Sequence, residues 1–159
     1  MSKFFSNPQR DDRQIALWLT VIAVLIYIMV IVGGLTRLTG SGLSIVEWQP
    51  IMGAIPPLNE AQWLETFAKY QLSPQYLQVN RGMSLDEYKW IFAFEYAHRL
   101  LGRLIGVDFA LPFLYFLFKH KIRRPLLPKL ILLFVLGGIL GFVGLYMVQS
   151  GLVNEPRVS

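Results

Sequence analysis

The chain has 159 residues, of which 54% are hydrophobic, and its mean hydropathy is +0.46. A soluble domain does not tolerate so apolar a surface, so we predict an all-α integral membrane protein. The 15 basic and 10 acidic residues give a net charge of +5, but the excess is clustered and no basic, aromatic patch indicates a nucleic-acid partner. With no cysteine and two histidines, disulfides, thiolate chemistry and a zinc site built from His and Cys are excluded.

Residues 1–14 form a polar tail, and the first long apolar segment follows directly. Residues 15–35 carry no charge and make about 31 Å of helix, which is enough to cross a bilayer. A cleaved signal peptide is the rival interpretation, but its apolar region would be shorter and would end in a small-residue cleavage site. We therefore predict that residues 15–35 form the first transmembrane span.

Residues 36–84 form a loop that is too long for a simple turn, and its glycines, prolines and tryptophans predict a folded lid. Within the lid, Asn59 can cap a helix, with Gln62 reaching back. Three aromatic residues of that helix share one face: Trp63, Phe67 and Tyr70. This face would rest on the membrane surface or on the neighbouring helices, and ordinary packing explains it as well as a ligand would.

A second long helix is predicted over residues 85–118, because Ser84 and Glu87 form a capping box ahead of an apolar run. Its length of about 51 Å exceeds a hydrocarbon core of about 30 Å, so its outer turns must stand out of the membrane. Counting about 20 residues back from the end of the helix places His98 near the outer boundary of the hydrocarbon.

Asp108 falls close to the midplane of the membrane on the same count. Pro112 has no N–H to donate to the Asp108 carbonyl, so a kink is expected there. Asp108 would then belong to the kink, pair with another helix or have a catalytic role.

The loop over residues 119–129 holds five Lys or Arg and no acid, which the positive-inside rule places in the cytoplasm. The amino terminus would then be cytoplasmic and the lid periplasmic. His120 of this loop is interpreted as a solvated residue rather than a ligand. Residues 130–148 form the third predicted span, and its small residues have sequence spacings that allow close helix packing. Residues 149–159 would form a tail on the lid side.

The candidate site lies in the stretch FEYAHRLLGRLIGV, at residues 94–107. Four of its residues fall within an arc of roughly 80°, at about 100° per helical residue, and so form one stripe: Glu95, His98, Gly102 and Gly106. A ring nitrogen of His98 can bind a metal, and the two glycines leave room for a flat ligand. Arg99 and Arg103 form a second stripe suited to carboxylates. This pattern predicts a haem site with His98 as one axial ligand of the iron.

Each of these residues also has a structural interpretation. A lone histidine in an apolar helix is more often a packed residue than a ligand. Glu95 and Arg99 have the spacing of a favourable ion pair within a helix, and Gly102 with Gly106 has the spacing of a helix-packing motif. Arg37, which follows the first span, can simply reach out to the membrane surface.

Two stretches of the sequence, taken together, resemble a known protein family. GGLTRLTGSGLSIVEWQPIMGAIPPLN at residues 33–59, together with GMSLDEYKWIFAFEYAHRLLGRLIG at residues 82–106, resembles the heme A synthase family of cytochrome oxidase assembly. The likeness runs over nearly the whole chain. The order of TRLT, SGLS, the Trp48–Pro57 segment and EYAHR is far more specific than any single piece.

The resemblance implies an eight-span bacterial inner-membrane protein with two four-helix halves, of which this chain would supply three spans and the lid. It implies oxidation of the methyl group of haem O to the formyl group of haem A, with haem B as cofactor. His98 matches a haem-ligating histidine, and Glu95 matches an acidic residue associated with catalysis. The arginines at positions 37, 99 and 103 would bind propionates, and Gly102 and Gly106 would line the haem. Haem O synthase and an electron donor are the implied partners, besides the lipid bilayer.

Two departures from the family pattern matter. The chain lacks the cysteine pair of some members, so thiol chemistry is not carried over. It also ends at EPRVS, where the resemblance would lead into a fourth span, so we expect a fragment that is inactive alone. Two other functions stay open: a b-type haem protein that transfers electrons, and a membrane assembly subunit without catalytic activity.

Overall fold

The computed structural model describes residues 8–47 and 55–153. Within these ranges the chain is helical and contains no strand. Its helices are α1 (Pro8–Leu38), α2 (Glu60–Gln71), α3 (Pro74–Gln78), α4 (Leu85–Phe118) and α5 (Leu127–Val153). Three of them, α1, α4 and α5, are long and apolar enough to cross a bilayer, which confirms the predicted all-α membrane architecture.

The ends of the long helices follow local sequence signals. Ser84 caps α4 through a complete capping box with Glu87, as the sequence predicts. In α1 the helix begins at Pro8, before the predicted span, and α5 extends beyond residues 130–148 at both ends. Pro128 is accommodated in the first turn of α5, where its missing N–H would have no helical partner. Where the bilayer cuts each helix stays a prediction, and residues 48–54 of the Trp48–Pro57 segment lie outside the described residues.

The N-terminal half of α1 and the C-terminal half of α4 pack through a cluster of large apolar side chains that also holds the start of α5. Its buried members are Ile15, Trp18, Ile22, Phe109, Phe113, Phe116 and Leu130. The Trp18 ring lies 5.2 Å from that of Phe109 and 5.6 Å from that of Phe116 between centroids. These contacts fix α1 against α4, and so fix what lies further along the same seam.

Trp18 also supplies a hydrogen bond that the backbone of α4 lacks because of Pro112. Because Pro112 has no N–H, the carbonyl of Asp108 lacks its helical donor. The indole Nε1 of Trp18 donates to this carbonyl at 2.8 Å from the neighbouring helix. The backbone of Asp108 is thus paired with α1, while the kink at Pro112 and the role of the Asp108 carboxylate stay predictions.

The lid packs on the N-terminal turns of α4 through an aromatic cluster. Tyr70 of α2 and Tyr88 of α4 are fully buried and stack with centroids 5.0 Å apart. The predicted cap of α2 is present, since the Asn59 side chain accepts from the Gln62 N–H at 2.9 Å. The predicted aromatic face therefore rests on a neighbouring helix, α4.

Candidate functional site

The Glu95 carboxylate lies at the centre of the site and is 2% exposed. Its Oε2 accepts from the Ser44 hydroxyl at 2.6 Å and from the Ile45 N–H at 2.7 Å. Its Oε1 accepts from Arg99 Nε at 2.9 Å and from Arg99 Nη2. A buried carboxylate is stable only when its charge is paired and hydrogen-bonded, and here both oxygens are. Glu95 therefore fastens the loop after α1 to α4.

Arg99 shares this role. It forms the predicted ion pair with Glu95 one turn away, and its Nη2 also donates to the Ile45 carbonyl at 2.9 Å. The guanidinium thus binds the loop and the carboxylate at once, as its forked geometry allows. Binding of a propionate by Arg99 stays a prediction, and any such contact would have to share the guanidinium with these partners.

His98 lies in the seam between the first two spans and does not turn away from α1. A Cβ atom added at Gly33 of α1 would lie 3.4 Å from the Nε2 of His98. The ring is half-buried, and within residues 8–47 and 55–153 it has no hydrogen-bond partner. An imidazole with uncommitted nitrogens in apolar surroundings can serve as a metal ligand, because no protein acceptor or donor competes for it.

The glycine stripe beside His98 is open in one part and partly filled in another. A Cβ atom at Gly102 would lie 3.1 Å from the terminal methyl of Met29, whereas one at Gly106 would meet nothing within 4 Å. Met29 ends in a flexible thioether, which can move aside more easily than a branched side chain. The backbone is therefore open at Gly106 and covered by a flexible side chain at Gly102, and binding of a flat ligand there stays a prediction.

The two remaining predicted arginines occupy different places. Arg103 is one turn deeper than Arg99, and its Nη1 atom is buried. Arg37 is exposed in the last turn of α1. The structure brings His98, Arg99 and Glu95 together on consecutive turns and leaves Arg37 at the rim, so the assignment of both Arg37 and Arg103 to propionates stays a prediction.

Burial and the charge of Glu95 both affect the pKa of Tyr70, a tyrosine of the lid. Burial raises the pKa of the Tyr70 phenol, and the negative charge of Glu95 adds to the rise. The Tyr70 hydroxyl accepts from the Asn80 amide at 2.7 Å and donates to the Gln75 side chain at 3.1 Å. It therefore stays neutral and hydrogen-bonded above the loop.

Sequence reasoning missed four residues of this arrangement. Ser44 and Ile45 hold Glu95, while Gly33 and Met29 of α1 face His98 and Gly102. The SGLS motif contains Ser44, but nothing in the local pattern shows that its hydroxyl points to a carboxylate 51 residues away. The pair of glycines at 33 and 34 was a signal for close helix approach that could have been used.

Comparison with known proteins places the sequence in a family. The sequence profile described as "Cytochrome oxidase assembly protein" matches residues 16–159. The chain belongs to the cytochrome oxidase assembly protein family. Relatives named "Heme A synthase" share high identity with it. The protein from Nitrosospira multiformis is 56% identical over 158 residues, which cover 96% of this chain and 44% of the relative.

Two further heme A synthases give the same result. The one from Parvibaculum lavamentivorans is 55% identical over 149 residues, covering 94% of this chain and 43% of its own length. The one from Rhodospirillum centenum is 52% identical over 157 residues, covering 97% and 42%. The chain thus spans less than half the length of these family members. No solved structure matches it.

Proposed function

We propose that this chain forms part of a heme A synthase, which oxidises the methyl group of haem O to the formyl group of haem A. The observation that carries the proposal is the half-buried His98 imidazole, which lies against Gly33 in the seam with no hydrogen-bond partner in the described ranges. Family membership and the names of the relatives agree with it. The substrate and the haem B cofactor are part of the proposal.

The residues present fit a haem. His98 would supply a ring nitrogen to the haem iron, and Gly106, together with Gly102 once the Met29 methyl moves, would leave room for the porphyrin. When bound, haem B supplies the redox chemistry that oxidation of a methyl group needs. α4 would hold the group, and the apolar cluster around Trp18 would keep α1 in place against it.

Glu95 would act through its fixed negative charge. The carboxylate lies one turn outside His98 and is held by donors from the loop and from Arg99. Such a preorganised charge stabilises positive charge that develops on a substrate carbon, or accepts a proton from it. Arg99 keeps the carboxylate in place and balances its charge.

The orientation in the membrane is also part of the proposal. We place the protein in the bacterial inner membrane with the amino terminus in the cytoplasm and the lid in the periplasm, because the basic loop over 119–129 favours the cytoplasmic side. Haem O synthase and an electron donor would be its partners. Spheroplasts carrying Gln78→Cys or Arg124→Cys separate the orientations: an impermeant maleimide should label the lid cysteine and spare the loop cysteine, and the reverse pattern would refute this placement.

A b-type electron-transfer protein is the second candidate, since His98 would equally hold a permanent haem. The two differ in their product. In a chimaera, this chain replaces the matching segment of the Nitrosospira multiformis heme A synthase, and the haems are extracted and weighed by mass spectrometry. The proposed enzyme yields hydroxylated or formylated haem when haem O is supplied. A chimaera that folds and binds haem but modifies none would favour the electron-transfer function.

The same chimaera tests Glu95. Glu95→Gln should lower haem A formation by about 100-fold, the scale of a lost general base or of one charge aimed at the reacting centre. Glu65→Gln is the matched control, because Glu65 is an exposed lid carboxylate that pairs with Lys69. Undiminished conversion by a folded Glu95→Gln chimaera would show that Glu95 has only a structural role.

A further inference from the structure

The Ser44 hydroxyl has two acceptors in α4, the Ile91 carbonyl at 3.3 Å and the closer Glu95 carboxylate. The residue is 0% exposed, and its hydroxyl lies 2.6 Å from Oε2 of Glu95. The next residue, Ile45, donates its N–H to the same oxygen at 2.7 Å. Two donors from one short loop therefore converge on one carboxylate oxygen, which fixes its direction as well as satisfying it.

Ser41 of the same loop provides the contrast. It is also 0% exposed, yet its hydroxyl lies 2.5 Å from the Thr39 hydroxyl and takes no part in holding Glu95. Both serines of the SGLS sequence are therefore buried, but of the two only Ser44 contacts the Glu95 carboxylate.

Ser44 also connects the carboxylate to the aromatic cluster between α2 and α4. Its backbone carbonyl accepts from the Tyr88 hydroxyl at 3.3 Å, and Tyr88 stacks on Tyr70 within the aromatic cluster. The backbone contact with Tyr88 therefore fixes the position from which the Ser44 hydroxyl donates to Glu95.

We propose that Ser44 is a positioning residue for Glu95: its hydroxyl holds the carboxylate in the orientation that the oxidation of haem O requires. This inference rests on the proposed function and names a residue that acts on that reaction without touching the substrate. Loss of such a supporting hydrogen bond should lower kcat by about 10- to 100-fold and leave KM nearly unchanged, because the substrate does not contact Ser44.

The first test uses the chain itself and needs no activity. Infrared spectra of the detergent-solubilised protein with isotope-labelled glutamate report hydrogen bonding at each carboxylate, and Glu95→Gln identifies the Glu95 band. Ser44→Ala should shift that band, whereas Ser41→Ala should leave it in place. Ser44→Thr keeps the hydroxyl and should restore the wild-type position. A band that Ser44→Ala does not move overturns the inference.

The second test uses the chimaera with the Nitrosospira multiformis relative. Ser44→Ala should lower kcat for haem O conversion at constant KM, with Ser41→Ala near wild type and Ser44→Thr restoring activity. Equal losses in both alanine variants, or full activity in Ser44→Ala, would overturn the inference. A wild-type chimaera that modifies no haem counts against the proposed function instead, and the infrared result still decides whether Ser44 holds Glu95. Should Ser44→Thr fail to fold, the comparison of the two alanine variants decides alone.

Discussion

Trp18 donates a hydrogen bond to a backbone carbonyl of the neighbouring helix. The Asp108 carbonyl has no helical donor because of Pro112, and the Trp18 indole supplies one from α1. Pro112 and its consequence for Asp108 could be predicted from the sequence, because they depend on neighbours in the chain. The donor lies 90 residues away, and no local pattern identifies it.

A double-mutant cycle tests this pairing. Trp18→Phe keeps most of the apolar ring and leaves the buried carbonyl unsatisfied, so it should lower the free energy of unfolding by about 1–3 kcal/mol. In a Pro112→Ala background, the new N–H can bond the carbonyl within the helix, and the loss should be smaller. Unfolding in detergent micelles measures both. Equal losses in the two backgrounds would show that the hydrogen bond is unimportant.

Gly33 gives the second prediction at this scale. A methyl group at Gly33 would lie 3.4 Å from His98 Nε2, the atom that a haem iron would have to reach. A methyl group at Gly34 would meet nothing within 4 Å. Gly33→Ala should therefore weaken haem binding by about tenfold, the equivalent of a modest overpacking cost. Gly34→Ala is the matched control and should bind as the wild type does. Equal affinities of the two variants in optical titrations would place the haem elsewhere.

Among the elements, α1 and the loop after α4 are joined by ion pairs at the end opposite the lid. Lys121 Nζ lies 2.9 Å from the Asp11 carboxylate and 3.1 Å from the Gln14 side-chain oxygen. Arg123 pairs with Asp12 at a more exposed place. The helices themselves follow from local signals, such as the Ser84 capping box, whereas these contacts between elements follow only from the packing of α1 on α4.

The Lys121 contact predicts a pH dependence. The hydrogen bond to the Asp11 carboxylate raises the pKa of Lys121 above its ordinary value of 10.5. A raised pKa means that the folded chain holds the proton more tightly, so the contribution to stability is complete below pH 10.5 and disappears as the pH rises through the higher, folded value.

Lys121→Gln should therefore lower stability by a constant amount from pH 7 to 9, and the difference from wild type should shrink above about pH 10.5. Arg123→Gln is the control, since an arginine keeps its charge over this range and its difference from wild type should not shrink there. Unfolding curves across the pH series measure both. A Lys121→Gln difference that grows with pH would contradict the assignment.

At the scale of the whole molecule, α1 packs along α4, and the lid packs on the N-terminal turns of α4. The composition and the hydropathy pattern predicted the all-α membrane class, because apolar length alone decides which helices can span a bilayer. The stripe of Glu95, His98, Gly102 and Gly106 was equally readable, since it depends on helical periodicity. The wall that faces it, with Gly33 and Met29 from α1, required the packed structure.

The central claim is that His98 of this seam ligates a haem, and an optical titration of the chain with haem in detergent tests it most directly. His98→Ala removes the proposed ligand, and His120→Ala removes the other histidine of the chain, which lies exposed in the loop after α4. We expect a histidine-ligated haem spectrum for the wild type and for His120→Ala, and none for His98→Ala. A His98→Ala protein with the wild-type spectrum would contradict it.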